Sequence, residues 1–186
     1  MPKTETATAT ETETALRGGR CWRFGDDLAS DQLIQPQHVF DYDPKVLRRH
    51  LLEEVRPELA ADAAPGDVLV TGRNFAHGSH HSHPFIAMKD MGLGLVCRSI
   101  PRGPFRLAVF MGIPLLTVDD RTLDGLGDGD PVDVDFTTGT IVNHRTGERL
   151  QGQPLPSFLL EIVAAGGGLT YARRLLDAEG TNHADR

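Results

Sequence analysis

The chain has 186 residues, of which 39% are hydrophobic and 24% charged, and its formal net charge at pH 7 is −7. This apolar content is typical of a soluble globular protein and is enough for one domain with a core. The negative charge disfavours a nucleic-acid partner, and no apolar stretch approaches the roughly 20 residues that a membrane span needs. The N-terminal stretch also lacks the apolar segment of a signal peptide, so we expect a cytoplasmic protein with no nucleic-acid or membrane partner.

The N-terminal part of the chain changes character near residue 18. Residues 1–18 repeat Thr, Glu and Ala with almost no large apolar side chain. Such a segment buries too little surface to offset its ordering entropy, which predicts a disordered tail. Residues 20–24 alternate in polarity and predict a strand. Asp43-Pro44 predicts the start of a helix whose apolar face continues to Val55.

Three apolar runs in the middle of the chain predict buried strands, with a helix between each pair. The strands are expected at residues 68–71, 93–97 and 113–118, and the helices at residues 86–91 and 102–111. Gly92 and Gly112 predict the ends of the two helices. Strands and helices that alternate over about 50 residues predict a small parallel sheet with crossover helices.

The last third of the chain has the pattern of antiparallel strands. Residues 132–136 alternate strictly in polarity, and the turn Thr138-Gly139 leads into a second strand at residues 140–142. Further predicted segments are helices at residues 157–165 and 169–176 and a frayed polar end at residues 177–186. We therefore expect one domain over residues 19–176 with a tail at each end.

The two cysteines, Cys21 and Cys97, allow at most one disulfide. In a cytosolic chain we expect them to be buried thiols. A four-iron four-sulfur cluster usually takes several thiolates at a recognisable spacing, which this chain cannot provide. We expect no such cluster to be held by the chain itself.

Segment 72–85 joins the first parallel strand to the first helix and contains half of the chain's eight histidines, namely His77, His80, His81 and His83. Gly72 and Gly78 permit tight turns there, and Ser79 is expected near the start of the helix, where a cap is the alternative to a base or anion-binding role. Unpaired N–H groups at such a crossing from strand to helix suit a carboxylate or a phosphate. The segment therefore predicts an anion site.

Three interpretations of the four histidines stay open. They could line a substrate pocket as proton donors and acceptors, or bind zinc, copper or nickel, or belong to a solvated loop. Their spacing matches no standard zinc signature, and Gly78 and Pro84 prevent one helix from aligning all four. We favour the pocket lining.

Several motifs in the chain together resemble one protein family. They are residues 22–27, residues 66–75 with Gly78-Ser79, Ser99 followed by Arg102, residues 112–116 and residues 151–159. Over roughly residues 20–175 they resemble the small subunit of 3-isopropylmalate dehydratase, the swivelling domain of the aconitase superfamily. The resemblance implies an α/β fold: a swivelling β/β/α domain with a small parallel sheet, crossover helices and additional antiparallel strands.

The resemblance also implies a partner and a reaction. Such a subunit closes over a separate large subunit that holds a four-iron four-sulfur cluster, and together they dehydrate and rehydrate a small hydroxy acid. The 3-isopropylmalate reaction belongs to leucine biosynthesis, and the complex is a heterodimer or a heterotetramer. The alternative is a divergent stand-alone paralogue that acts on another substrate and binds zinc, copper or nickel at its histidine loop.

The candidate site residues come from the same resemblance. The expected catalytic residues are Ser79, as general base, with His80 and His81. The expected substrate-binding residues are His83, Asn74, Arg102 and His38. A bare serine is a poor base, so Ser79 would need neighbouring donors, which His80 or Arg102 could supply.

The chain departs from the family where the family binds anions. The family motif Ser-Ser-Arg-Glu-His-Ala is replaced here by the hexapeptide at positions 79–84, in which His81 stands where an arginine would grip a carboxylate. An imidazole titrates near neutrality and lacks the paired donors of a guanidinium. A loop that often contains arginine in the family carries Asp41 instead. These changes bear on the substrate rather than on the fold.

Overall fold

The computed structural model describes residues 14–184, with side chains described as far as residue 178. Its elements are β1 (Ala15–Arg23), α1 (Ser30–Leu33), a 3-10 turn (Pro36–His38), α2 (Pro44–His50), α3 (Leu59–Asp62), β2 (Val68–Thr71), α4 (His83–Met91), β3 (Gly94–Cys97), α5 (Arg102–Met111), β4 (Leu115–Thr117), α6 (Asp120–Asp124), β5 (Pro131–Asp135), β6 (Thr140–Asn143), β7 (Arg149–Gln151), α7 (Ser157–Ala164) and α8 (Gly168–Ala184). None of the helices in these described ranges is long and apolar enough to cross a membrane.

The strands form one mixed sheet in the order β4-β3-β2-β1-β5-β6-β7. β1 to β4 pair in parallel, and β5 to β7 pair antiparallel. β1 joins the two halves because it pairs in parallel with β2 and antiparallel with β5. The predicted fold class, a small parallel sheet with crossover helices and added antiparallel strands, is confirmed.

Two apolar clusters lie on opposite faces of the sheet, as the alternation of side chains along a strand requires. In β2, Leu69 belongs to one cluster, and Val68 and Val70 belong to the other. Helices α2, α4, α5 and α7 cover the first cluster, which includes Leu47, Met88, Ala108 and Val163. The second cluster contains the apolar side chains of the antiparallel half, so the curled sheet encloses it.

The predicted limits of the tails are wrong where the structure describes them. β1 begins at Ala15, so residues 15–18 belong to the sheet rather than to a tail that reaches residue 18. Backbone pairing with β5 and the burial of Leu16 hold this segment, although its composition is polar. At the other end α8 continues to Ala184, beyond the predicted limit at residue 176. Residues 1–13 and 185–186 lie outside the described part, so the rest of each predicted tail stays a prediction.

The helix predicted from Asp43 is shorter than expected. Asp43 caps it, since its carboxylate accepts from the Lys45 N–H at 2.9 Å. The helix ends at His50 because Leu52 takes a left-handed conformation, with φ of 60°, and its N–H donates to the Leu33 carbonyl at 2.8 Å. The chain therefore turns back at a point from which the apolar periodicity predicted that the helix would continue for five more residues, to Val55.

Candidate functional site

The carboxyl ends of the four parallel strands lie along one edge of the sheet. In α/β sheets of this kind, ligands bind in the crevice beyond these ends. Here the loop after β2, residues 72–82, lies beside the segment that follows β3, residues 98–101. An open cleft of about 540 Å³ is lined by the segment after β3 but by no residue of the loop after β2, and its polar lining residues are Arg98, Ser99, Thr117, Asp119, Gln151 and Gln153.

The first half of the loop after β2 is fixed by burial and by hydrogen bonds. Phe75 is fully buried, and its N–H donates to the Ser99 carbonyl at 3.0 Å. Asn74 takes a left-handed conformation with φ of 65°, which asparagine tolerates. Its N–H donates to Ser99 Oγ at 3.0 Å and its Nδ2 donates to Asp27 Oδ1 at 2.9 Å. Asn74, a predicted substrate ligand, therefore already uses its side chain to shape the loop.

Ser79 lies at the exposed crest of the loop and does not cap the helix. A capping role, the alternative to a base or anion-binding role for Ser79, is excluded because α4 begins at His83, where Pro84 in the first turn suits the start of a helix. The position that precedes the helix is Ser82, whose side chain makes no capping bond. Within residues 14–178, whose side chains the structure describes, the Ser79 hydroxyl has no hydrogen-bond partner. It is free to meet a ligand.

His80 lies against the first turn of α5. A Cβ atom built on Gly103 would be 2.6 Å from the Cε1 and Nδ1 atoms of the His80 ring, so the ring occupies space that only a glycine leaves open. Arg102, the first residue of α5, is exposed and forms no ion pair within the described part of the chain. The fold therefore brings the Ser79-His80 pair, a free cation and the amino end of a helix to one place.

His81 and His83 form a separate, more buried pair. Their Nδ1 atoms are 3.2 Å apart, and the Tyr42 ring lies 4.6 Å from the His83 ring. His81 Nε2 is buried without a hydrogen-bond partner among the described residues, with Asp31 Oδ1 3.8 Å away. The two imidazoles share one hydrogen bond, in which one Nδ1 donates and the other accepts.

Burial lowers the pKa of both imidazoles. For His81 burial outweighs the opposing charge of Asp31, and for His83 the neighbouring His81 lowers the pKa further. Both rings are therefore neutral at neutral pH, and His81 cannot act there as a permanently charged clamp for a carboxylate.

The remaining predicted site histidines lie apart from this group. His77 Nε2 is 3.0 Å from the Asp27 carbonyl oxygen. The His38 ring stacks on His50 with 3.7 Å between ring centroids. The four histidines 77, 80, 81 and 83, proposed as alternative metal ligands, do not converge; the group in the described residues with suitably close donor atoms consists of His38, His50 and Glu53.

Four charged side chains at this edge were not predicted from the sequence. Arg73 Nη2 and Arg98 Nε bind Asp120 Oδ1 at 3.0 and 2.8 Å, and Arg73 Nη1 is 3.5 Å from Asp26 Oδ2. Arg98 directly follows β3 and Asp120 begins α6, while Arg73 and Asp26 lie two and three residues after their strands, so the rule on strand carboxyl ends could have indicated them. These pairs are exposed and contribute little to stability, but they place two guanidinium groups beside the cleft.

Cys21 and Cys97 are free and buried, as predicted. Burial raises the pKa of each thiol to about 12. A cluster or metal ligand has to be a thiolate that the ion can reach. The thiols of this chain therefore do not fit an iron–sulfur cluster.

Comparison with known proteins gives consistent matches over most of the chain, although no family model matches it. A 3-isopropylmalate dehydratase small subunit from Methanosarcina mazei is 38% identical over 159 residues, which are 85% of this chain and 97% of that protein. A 3-isopropylmalate dehydratase small subunit 1 from Archaeoglobus fulgidus is 37% identical over 158 residues, 84% of this chain and 97% of that protein. A crystal structure of 3-isopropylmalate dehydratase from Methanocaldococcus jannaschii matches with a TM-score of 0.80 and 28% identity, covering 87% of this chain and 97% of that one.

Proposed function

We propose that this chain, which belongs to the family of 3-isopropylmalate dehydratase small subunits, is one subunit of a hydro-lyase. The proposed enzyme removes and re-adds water on a small hydroxy acid. The small-subunit names of its relatives imply a large-subunit partner. 3-Isopropylmalate, which those names carry, is the first substrate to test. The complex with the large subunit is proposed as a heterodimer or a heterotetramer.

In this proposal the large subunit holds the four-iron four-sulfur cluster. The two thiols of this chain are buried, and their pKa is raised to about 12, so they are poor ligands. When bound, the cluster supplies a Lewis acid for the hydroxyl group that leaves as water. The contribution of this chain is then to hold the substrate, to move a proton and to exclude solvent.

The observation that carries the proposal is the position of the loop crest beside α5. Among the described side chains, which end at residue 178, the exposed Ser79 hydroxyl has no hydrogen-bond partner and Arg102, at the amino end of a ten-residue helix, has no ion-pair partner. His80 packs on Gly103. A carboxylate placed there would meet a guanidinium and the unpaired N–H groups of the first helical turn. Ser79 would then face the carbon that loses its proton, with His80 as its neighbouring donor.

A serine acts as a base only if its alkoxide is stabilised. No group in the described part of this chain donates to Ser79, so we infer that the donors come from the substrate, the partner subunit or a movement of His80. Closure of the two subunits would also remove water and strengthen these interactions. The Ser79 function is therefore expected only in the assembled complex.

The test is reconstitution with the large subunit, followed by the rate of 3-isopropylmalate dehydration. Ser79→Ala should lower kcat by roughly 100- to 10,000-fold, the range expected for loss of a general base. Ser82→Ala is the matched control, since Ser82 belongs to the same loop and its side chain makes no capping bond. Near-normal turnover in Ser79→Ala would exclude the base role. Absence of turnover in the wild-type complex with an intact cluster would exclude 3-isopropylmalate as substrate.

A further inference from the structure

A second group of histidines lies outside the cleft and has no part in the proposed reaction. His38 ends the 3-10 turn, His50 is the last residue of α2, and Glu53 follows in the turn that reverses the chain. His38 Nε2 is 3.0 Å from Glu53 Oε1, and His50 Nδ1 is 2.6 Å from Glu53 Oε2. One carboxylate therefore lies between the ring nitrogens of two imidazoles.

The three donors are gathered and also accessible. Their ligand atoms all lie within 4.8 Å of one another. The side chains are 22%, 28% and 28% exposed, so solvent reaches the group while the fold restricts it. The left-handed conformation of Leu52 and its hydrogen bond to Leu33 bring Glu53 to the end of α2. The arrangement thus rests on a backbone turn that is itself held by the core.

The donor set has the chemistry of an open zinc site. Two imidazoles and one carboxylate bind Zn²⁺ with donor distances of about 2.0–2.2 Å and leave a fourth position for water. Donors around such an ion lie about 3.3–3.6 Å apart in a tetrahedral arrangement. The imidazole–carboxylate distances of 3.0 and 2.6 Å would therefore open by about 0.3–1.0 Å, and a donor separation as long as 4.8 Å would close by about 1.2–1.5 Å. One imidazole would also turn out of its 14° stack so that its nitrogen points at the ion.

We propose that His38, His50 and Glu53 form a binding site for a divalent transition-metal ion of the zinc class, with water as the fourth ligand. The site accepts the ion by exchanging two imidazole–carboxylate hydrogen bonds for three coordinate bonds. Each ring nitrogen that now faces Glu53 has to be free of its proton in the bound state, so binding weakens as the pH falls.

A bound ion would connect helix α2, which ion pairs attach to α4, to the loop that precedes α2. α2 is attached to α4 through Asp90, which pairs with Lys45 at 2.8 Å and with Arg48 at 3.2 Å. His38 belongs to the preceding loop, which also carries Tyr42, and Tyr42 contacts His83. An ion held jointly by His38 and the end of α2 would restrict this loop beside the His81–His83 pair.

The test uses the full chain, stripped of metal with a chelator and titrated with Zn²⁺ by calorimetry and with Co²⁺ by visible absorption. We expect one equivalent of tight binding and the intense visible bands of tetrahedral Co²⁺. Glu53→Gln keeps the shape of the side chain and should weaken binding by more than the roughly 10- to 100-fold that loss of an outer-shell partner costs. His38→Ala with His50→Ala should abolish it.

Two control variants separate this site from other histidines. His144→Ala removes a half-exposed imidazole that pairs with Asp133, and His80→Ala with His81→Ala removes half of the loop set. Both should retain stoichiometric binding. Circular dichroism checks that every variant is folded. The proposal is overturned if the folded wild-type chain binds neither ion, or if the folded Glu53→Gln variant binds within about tenfold of the wild-type affinity, or if binding is lost only in the His80/His81 variant.

Discussion

Gly103 controls the position of His80, which makes Gly103→Ala a direct test of whether that position matters. The added Cβ would lie 2.6 Å from two ring atoms of His80, whereas carbon atoms in contact are about 3.5–4.0 Å apart. The ring therefore has to move by about 1 Å, which a flexible side chain at an exposed crest can do. The three atoms nearest to the added Cβ all belong to the His80 ring.

Stability and activity should respond to Gly103→Ala in different ways. Alanine is favoured over glycine in a helix by roughly 0.5–1 kcal/mol, so the free energy of unfolding should stay equal or rise slightly. A misplacement of about 1 Å in a catalytic group can cost about 100-fold in rate. We expect kcat/KM of the reconstituted complex to fall by about 10- to 100-fold while the chain remains fully folded.

A double-mutant cycle shows whether the effect acts through His80. On the background of His80→Ala, the Gly103→Ala change should cost nothing further, because the ring that it displaces is absent. Gly25→Ala is the control, since a Cβ there meets no atom within 4 Å. The NMR signal of the His80 ring Cε1–H group should shift in Gly103→Ala and stay unchanged in the control. Wild-type kcat/KM in Gly103→Ala, despite a shifted ring signal, would refute the catalytic position of His80.

Two predictions concern stability. Asp67 is 5% exposed, and its carboxylate accepts hydrogen bonds from Trp22 Nε1 at 2.9 Å and from two backbone N–H groups. Asp67→Ala should therefore lower the free energy of unfolding by about 3–5 kcal/mol, measured by urea denaturation with circular dichroism. The exposed Asp120→Asn should change it by less than about 1 kcal/mol, and an equal loss in both would contradict the argument. Burial lowers the pKa of His81 and His83 in the folded chain, so as the pH falls below about 6.5 the unfolded chain takes up protons first. The free energy of unfolding should therefore be highest above that pH and fall below it. His83→Gln should reduce this dependence, and an unchanged slope between pH 7.5 and 5.5 would count against it.

β2, β3, β4 and the helices between them could be predicted closely because each of these elements has a local signal. β2 and α5 have the predicted limits, since a short apolar run and a glycine stop fix them independently of the rest of the chain. β1 was predicted too short because residues 15–18 are ordered by pairing with β5, a partner more than a hundred residues away. Composition alone cannot reveal such a partner.

The position of the histidine loop in the fold was predicted, but its internal arrangement was not. The loop after β2 was identified from its histidines, yet the sequence could not show that His80 turns towards α5 while His81 and His83 pair with each other. His38 was expected to bind substrate, and the structure places it with His50 and Glu53, fifteen residues further along. That contact depends on the left-handed conformation of Leu52, which no residue type in that segment predicts.

The double role of β1 has a consequence for the handling of this protein. Residues 15–19 cover the edge of β5, while residues 21–23 of the same strand support β2 beside the cleft. A chain shortened to begin at residue 20 would keep every predicted site residue but leave most of β5 as an open strand edge, with unpaired N–H and C=O groups. Such edges template pairing between molecules. Trimming the polar N-terminal segment too far should therefore produce concentration-dependent aggregates rather than a better-behaved protein.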